Sequence, residues 1–248
     1  MVETLFVDAK WDKEVVLGKQ LLDHVKKFKS VALFASVQYL KLDKAMQQLK
    51  GIGVKVLTTK AKRTDKEMQV LGCDAYHDSF NGSILKDADA ILYIGDGMFH
   101  PKALLLAQIH EKAIKDVMIW DPIAEKMKSI TKNDILVQLR KMKANLKRYI
   151  MAKTVGILVT VKPGQQYLEN ALKLKAMVEK KDKKAYIFID DTLRLDLLEN
   201  YPFIGAWVNT ACPRIGTDDH VHIGQALVNI RDAYDPEHAL EFLDSVTS

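Results

Sequence analysis

Lys29-Ser30-Val31-Ala32-Leu33-Phe34-Ala35-Ser36-Val37 has a second copy in the chain, Lys153-Thr154-Val155-Gly156-Ile157-Leu158-Val159-Thr160-Val161. Each copy is an apolar run without polar alternation. Such a run reads as a strand covered on both faces, as in a parallel sheet. After each copy come a Gln-containing turn, a helical stretch and another short apolar run. The chain therefore reads as a duplicated strand–helix–strand unit.

Outward from the first copy, the spacing predicts a helix over residues 39–50, ended by Gly51 and Gly53. Short strands follow at 54–57 and, past a polar loop, at 69–72. A buried strand is expected at 90–95, then a helix through His110 with Pro101 in its first turn. Another strand at 117–120 is stopped by Asp121-Pro122, and a basic amphipathic helix over 133–149 leads to the second copy. Lys126-Met127-Lys128 reads with the helical stretches. In the second unit, helices at 166–180 and 192–198 alternate with strands at 185–189 and 206–209. This alternation implies an α/β fold: two homologous parallel-sheet domains with flanking helices. The expected division is 1–28 as a remnant strand (4–7) and linker helix (12–28), 29–150 as the first α/β domain and 151–248 as the second.

Composition narrows the class. Of 248 residues, 48% are hydrophobic and 28% charged, with 12 Gly and 6 Pro, which excludes a mainly disordered or collagen-like chain. No apolar run reaches the roughly 18–20 residues of a membrane helix. An acidic residue stands where a signal peptide would be basic, so the expected location is cytoplasmic. Two cysteines cannot staple such a chain and read as reduced thiols. The net charge of +5 is mild, and no aromatic-plus-glycine RNA signature accompanies it, so direct nucleic-acid binding is not expected.

In parallel sheets, ligands bind outside the carboxyl ends of the strands. Cys73 follows Val70-Leu71-Gly72, and Cys212 lies three residues past Asn209. A lone cysteine is often a small apolar filler. Here Gly72 suits close backbone approach, and Pro213 keeps Cys212 extended. Three loops add polar groups at the same edges: Gly95-Asp96-Gly97-Met98-Phe99-His100-Pro101, Lys162-Pro163-Gly164-Gln165 and Arg214-Ile215-Gly216-Thr217-Asp218-Asp219. Soft thiolates favour iron–sulfur clusters, zinc or copper, but two cannot complete a four-thiolate site. No Cys-x2-Cys pair, dinucleotide fingerprint, P-loop or GxSxG elbow is present.

Taken together, Val70-Leu71-Gly72-Cys73-Asp74, Tyr93 through Pro101, Lys162 through Gln165 and Trp207 through Asp219 resemble the archaeal diphthamide synthase family, from about residue 4 to 234. The resemblance implies three similar α/β domains, each giving one cysteine to a [4Fe–4S] cluster. It implies S-adenosylmethionine as donor of a 3-amino-3-carboxypropyl radical and a histidine of translation elongation factor 2 as acceptor. Cys73 matches the middle-domain cysteine and Cys212 the last-domain cysteine, as metal ligands and catalytic residues. Gly95, Asp96, Gly97, His100, Lys162, Pro163, Gly164, Gln165, Arg214, Asp218 and Asp219 become candidate cofactor-binding residues. The family's first domain has no counterpart here. A partner subunit supplying that domain and the third thiolate is expected. The alternative is a non-catalytic subunit that steadies a catalytic partner or recruits elongation factor 2.

Overall fold

Both copies of the repeated segment are strands, and each is an inner strand of its own sheet. The structure, a computed structural model, describes residues 7, 9–111, 113–162, 164–218 and 224–247. It divides into two units, Met1–Ile135 and Leu136–Ser248.

The first unit contains α1 (Lys19–Val25), β1 (Ser30–Ala35), α2 (Asp43–Gly51), β2 (Lys55–Leu57), α3 (Ile84–Asp87), β3 (Ala90–Ile94), α4 (Phe99–Leu106), β4 (Val117–Asp121) and β5 (Lys126–Ile130). Its sheet runs β2-β1-β3-β4-β5. The first four strands are parallel, and β5 returns antiparallel to β4. Every residue of β1 and β3 is buried, as expected where both sheet faces are covered. On one face Leu33, Leu92 and Ile94 pack with Leu21, Val25, Leu49 and Trp120. The Trp120 indole N–H donates to the Val16 carbonyl at 3.0 Å, so this large side chain is buried without a lost hydrogen bond.

The second unit contains α5 (Leu136–Met151), β6 (Thr154–Thr160), α6 (Leu168–Glu179), β7 (Lys184–Asp190), β8 (Ala206–Asn209), α7 (Pro213–Thr217), β9 (Leu227–Asn229), α8 (Ile230–Tyr234) and α9 (Pro236–Thr247). Its sheet runs β7-β6-β8-β9, all parallel. Relative to β6 this is the same winding that β2-β1-β3-β4 has relative to β1. The repeat in the sequence is thus a repeat of topology.

Four expectations are corrected. Lys126-Met127-Lys128 is strand, not helix. Its residues alternate between exposed and partly buried along β5, which pairs with β4 across the turn after Asp121. The strand expected at 69–72 reduces to one bridge between Gln69 and Ala35, because Gly72 and Cys73 turn away from the sheet. The helix expected from residue 39 begins at Asp43, after a 3-10 turn at Val37–Tyr39. The stretch 192–198 is a 3-10 segment at Leu195–Asn200 rather than an α-helix. Of the strand expected at 4–7, all but Val7 lies outside the described residues. Among the described residues, no helix is long and apolar enough to cross a membrane.

Gly156 is matched to a specific neighbour. It sits in register with Trp207 on β8, and a Cβ there would lie 2.3 Å from Trp207 Cε3. Overpacking of this kind costs about 1–3 kcal/mol. Gly156→Ala is therefore expected to lower unfolding stability by that amount and to alter tryptophan fluorescence. Denaturant titration followed by fluorescence checks both.

Candidate functional site

In the first unit the strand order turns back between β1 and β3, the position where open α/β sheets bind ligands. The chain at 68–70 is laid along the end of β1. Ala35 N donates to Met68 O at 2.9 Å, and Val70 N donates to Ala35 O at 3.1 Å. A tight turn follows. Asp74 N donates to Leu71 O at 3.0 Å, and Leu71 N donates back to Asp74 Oδ2 at 2.7 Å. This reciprocal pair holds Cys73 between its two partners, with the thiol residue half-buried. Asp74 itself is buried. Burial pushes its carboxyl above the ordinary carboxylate range, against the opposing pull of the Leu71 N–H and Arg63.

The 95–101 loop meets this turn directly. A Cβ on Gly72 would lie 1.8 Å from Phe99 Cε1, so the Phe99 ring rests on the glycine beside Cys73. The loop depends on glycine elsewhere too. Gly97 has φ +67, and Gly95 has φ +153 with its missing Cβ 2.5 Å from the Tyr93 hydroxyl. Tyr93 Oη and His100 Nδ1 are 3.2 Å apart, with the rings nearly parallel. Burial, joined by the charge of Asp96, pushes the Tyr93 hydroxyl up, so it stays protonated. The hydrogen bond between Tyr93 Oη and His100 Nδ1 fixes the orientation of the imidazole. Asp96 is exposed. Gly72, Phe99, His100, Tyr93 and Gly95 are thus linked by successive contacts beside Cys73. His77 and His110 meet edge to face at 4.8 Å.

In the second unit the order turns back between β6 and β8. Two buried asparagines, in register on β8 and β9, organise the loop carrying Cys212. Asn209 Nδ2 donates to Cys212 O and to Asn229 Oδ1, both at 2.8 Å, and Asn209 Oδ1 accepts from Ala211 N at 3.0 Å. Asn229 Nδ2 donates to Pro213 O at 2.9 Å. Thr210 donates both its N–H and its hydroxyl to Leu158 O, at 3.1 and 2.8 Å. The backbone is therefore fixed on both sides of the half-buried Cys212. Gly216 leaves room for this arrangement, since a Cβ there would lie 2.2 Å from Asn229 Oδ1.

Arg214 is buried and pairs through Nε and Nη2 with Asp218 Oδ2, the first of these bonds at 2.9 Å. Lys162 is exposed, in a turn closed by Gln165 N donating to Lys162 O at 3.0 Å with Gly164 at φ +76. Pro163 and Asp219 lie outside the described residues.

Sequence reading missed Asn229 and the packing of Phe99 on Gly72. The first had a signal, because Trp207-Val208-Asn209 and Leu227-Val228-Asn229 both end in Val-Asn and the two strands pair in register. The second had none, since it joins segments 27 residues apart in a way no local pattern specifies.

The sequence profile of the diphthamide synthesis protein family matches residues 2–233. The 2-(3-amino-3-carboxypropyl)histidine synthase of Pyrococcus horikoshii is 30% identical over 224 residues, covering 88% of this chain and 61% of the relative. The synthase of the same name from Methanocaldococcus jannaschii is 25% identical over 230 residues, covering 89% of this chain and 58% of the relative. The crystal structure of Dph2 from Pyrococcus horikoshii with a 4Fe–4S cluster is similar with a TM-score of 0.70 and 27% identity, over 90% of this chain and 60% of that one. The chain thus spans about 60% of the length of these relatives.

Two outcomes follow from the geometry. Asn229→Ala strips the Pro213 carbonyl and Asn209 of a buried partner, at a cost of about 1–3 kcal/mol. It is expected to speed alkylation of Cys212, measured by mass spectrometry on the native protein. Asp74→Asn keeps an oxygen for the Leu71 N–H but removes the buried charge. Because the folded carboxyl titrates above its unfolded value of 3.8, Asp74 favours the fold most at low pH and loses that contribution as pH rises through the folded pKa. The Asn variant is expected to show a smaller fall in stability over that rise, read from denaturant midpoints across a pH series.

Proposed function

The chain belongs to the diphthamide synthesis protein family, and from that premise we propose that it is part of a 3-amino-3-carboxypropyl transferase. The donor is S-adenosylmethionine and the acceptor a histidine of translation elongation factor 2. Cys73 and Cys212 each supply one thiolate to a [4Fe–4S] cluster, and a partner subunit supplies the third.

The observation that carries this reading is that Cys73 and Cys212 both stand on backbone fixed by side-chain hydrogen bonds at the carboxyl ends of parallel strands. Asp74 holds the turn of Cys73, and Asn209 with Asn229 holds the loop of Cys212. Such support is what a metal ligand needs for its donor atom to be in place before binding. The donor chemistry fits, because thiolates are the ligands that iron–sulfur clusters take. The resemblance assigns the third thiolate to a further domain, which a partner subunit is proposed to supply. Held there, the cluster would supply one electron for cleavage of a carbon–sulfur bond of S-adenosylmethionine, the source of the 3-amino-3-carboxypropyl group, with methylthioadenosine as the leaving fragment.

The protein's own groups bind and orient. In the first unit, the 95–101 loop offers backbone close to a ligand at Gly95 and Gly97 and a His100 imidazole oriented by Tyr93. Phe99 packs on Gly72 beside Cys73 and holds the loop against that turn. In the second unit, the Lys162 ammonium with Gly164 and Gln165 suits a carboxylate. Arg214 and Asp218 brace the helix after Cys212 through their ion pair and act as positioning residues.

Anaerobic reconstitution with iron and sulfide, in the presence of the partner subunit, tests the proposal. The expected product is a brown, oxygen-sensitive protein whose iron is lost in Cys73→Ala and in Cys212→Ala while circular dichroism is unchanged. A colourless protein that binds the partner stoichiometrically, or iron indifferent to both substitutions, overturns it in favour of a scaffolding role.

A further inference from the structure

A cavity of about 140 Å³ opens at the carboxyl ends of β6 and β7, between those strands and the segment 193–201. We propose that it docks the protein acceptor of the transfer, taking one side chain of leucine, methionine or phenylalanine size from a basic segment of that protein. The choice of occupant rests on the transfer reaction proposed above.

Volume sets the kind of group that enters. A cavity of about 150 Å³ with aliphatic and aromatic walls accepts a benzene ring and stays dry without one. Leu158 and Leu198, both buried, form part of the lining here. Phe188 and Tyr201 add aromatic walls, and their rings meet edge to face at 4.8 Å. Phe188 also meets the fully buried Trp207 at 4.8 Å, so this wall is set before anything binds. A preformed pocket costs little ordering on association, which is how a single anchor side chain comes to dominate a contact. Apolar surface remains open around the cavity: Ile189 is 56% exposed, Leu197 40% and Tyr201 37%. Apolar surface grouped around a cavity marks a contact site, whereas a scattered exposed residue needs no explanation.

Charge selects the partner. Residues 190–199 carry four carboxylates, Asp190, Asp191, Asp196 and Glu199, against the Arg194 guanidinium. That guanidinium is already paired with Asp196 at 2.7 Å. Asp190 lines the cavity, and its Oδ1 accepts from Asp191 N at 2.7 Å, which fixes the carboxylate at the end of β7. Lys162, past the end of β6, still leaves carboxylates in excess. The chain as a whole is +5, so this negative patch is local. It favours lysine or arginine beside the apolar anchor and repels an acidic segment.

Leu158 ties the cavity to the candidate site. Its carbonyl accepts from both the N–H and the hydroxyl of Thr210, two residues before Cys212. A segment anchored in the cavity is thus held beside the loop that carries Cys212.

Calorimetric titration of the full, iron-free chain with elongation factor 2 tests this. The wild type is expected to bind, and more weakly as ionic strength rises. Leu197→Ser removes apolar surface at the mouth and is expected to raise the dissociation constant roughly tenfold. Asp191→Lys combined with Glu199→Lys is expected to raise it roughly tenfold or more and to flatten the salt dependence. All three positions are exposed, and circular dichroism checks that the variants fold. Absence of binding by the wild type, or binding indifferent to both variants, overturns the proposal. So does displacement of the factor by excess S-adenosylmethionine, which would make the cavity a nucleoside site. The titration needs no iron, so its outcome separates from that of reconstitution. Binding that depends on the cavity, by a chain that never assembles a cluster, keeps the docking site and sinks the transfer reaction; cluster assembly with binding indifferent to the cavity does the reverse.

Discussion

Asn209 and Asn229 form the contact on which the second unit's loop geometry rests. Each is buried, each bonds the other or its neighbour's backbone, and together they hold the carbonyls of Cys212 and Pro213. A buried amide left unsatisfied is costly, so the pair tolerates few other arrangements. That intolerance is what turns a flexible strand-to-helix connection into a fixed platform. Gly216 is part of the same constraint, because any side chain there would collide with Asn229.

The first unit reaches a similar end by different means. Its cysteine sits on a turn held by Asp74 and shielded by Phe99 over Gly72. Duplication preserved the winding of the sheet, with an inner first strand and a return of strand order beside it. It did not preserve the local bonds at the strand ends. In each unit the position of the strand-end loops follows from topology, while their local chemistry is set by the loop itself.

This difference explains how much was legible in the sequence. The strands β1, β3, β4, β6 and β8 are buried apolar runs, and such runs announce themselves. β5 did not, because its lysines mask an exposed edge strand as a basic helix face. The C-terminal β9, α8 and α9 were also unread, since a three-residue strand carries too little pattern. At the site, Cys73, Cys212 and the glycine loops stood out by residue type. Asn229 and Phe99 gained meaning only when the chain folded back on them. Arg214 illustrates the remaining gap, for sequence cannot distinguish a guanidinium aimed at a ligand from one turned inward to Asp218.

We propose that Cys73 and Cys212 ligate the same inorganic centre. Thiol footprinting tests it most directly: alkylation of each cysteine, mapped by mass spectrometry, on protein carrying graded amounts of reconstituted iron with the partner subunit present. The account predicts that both thiols become protected together and in proportion to bound iron. Alkylation of either cysteine at a rate independent of iron would contradict it.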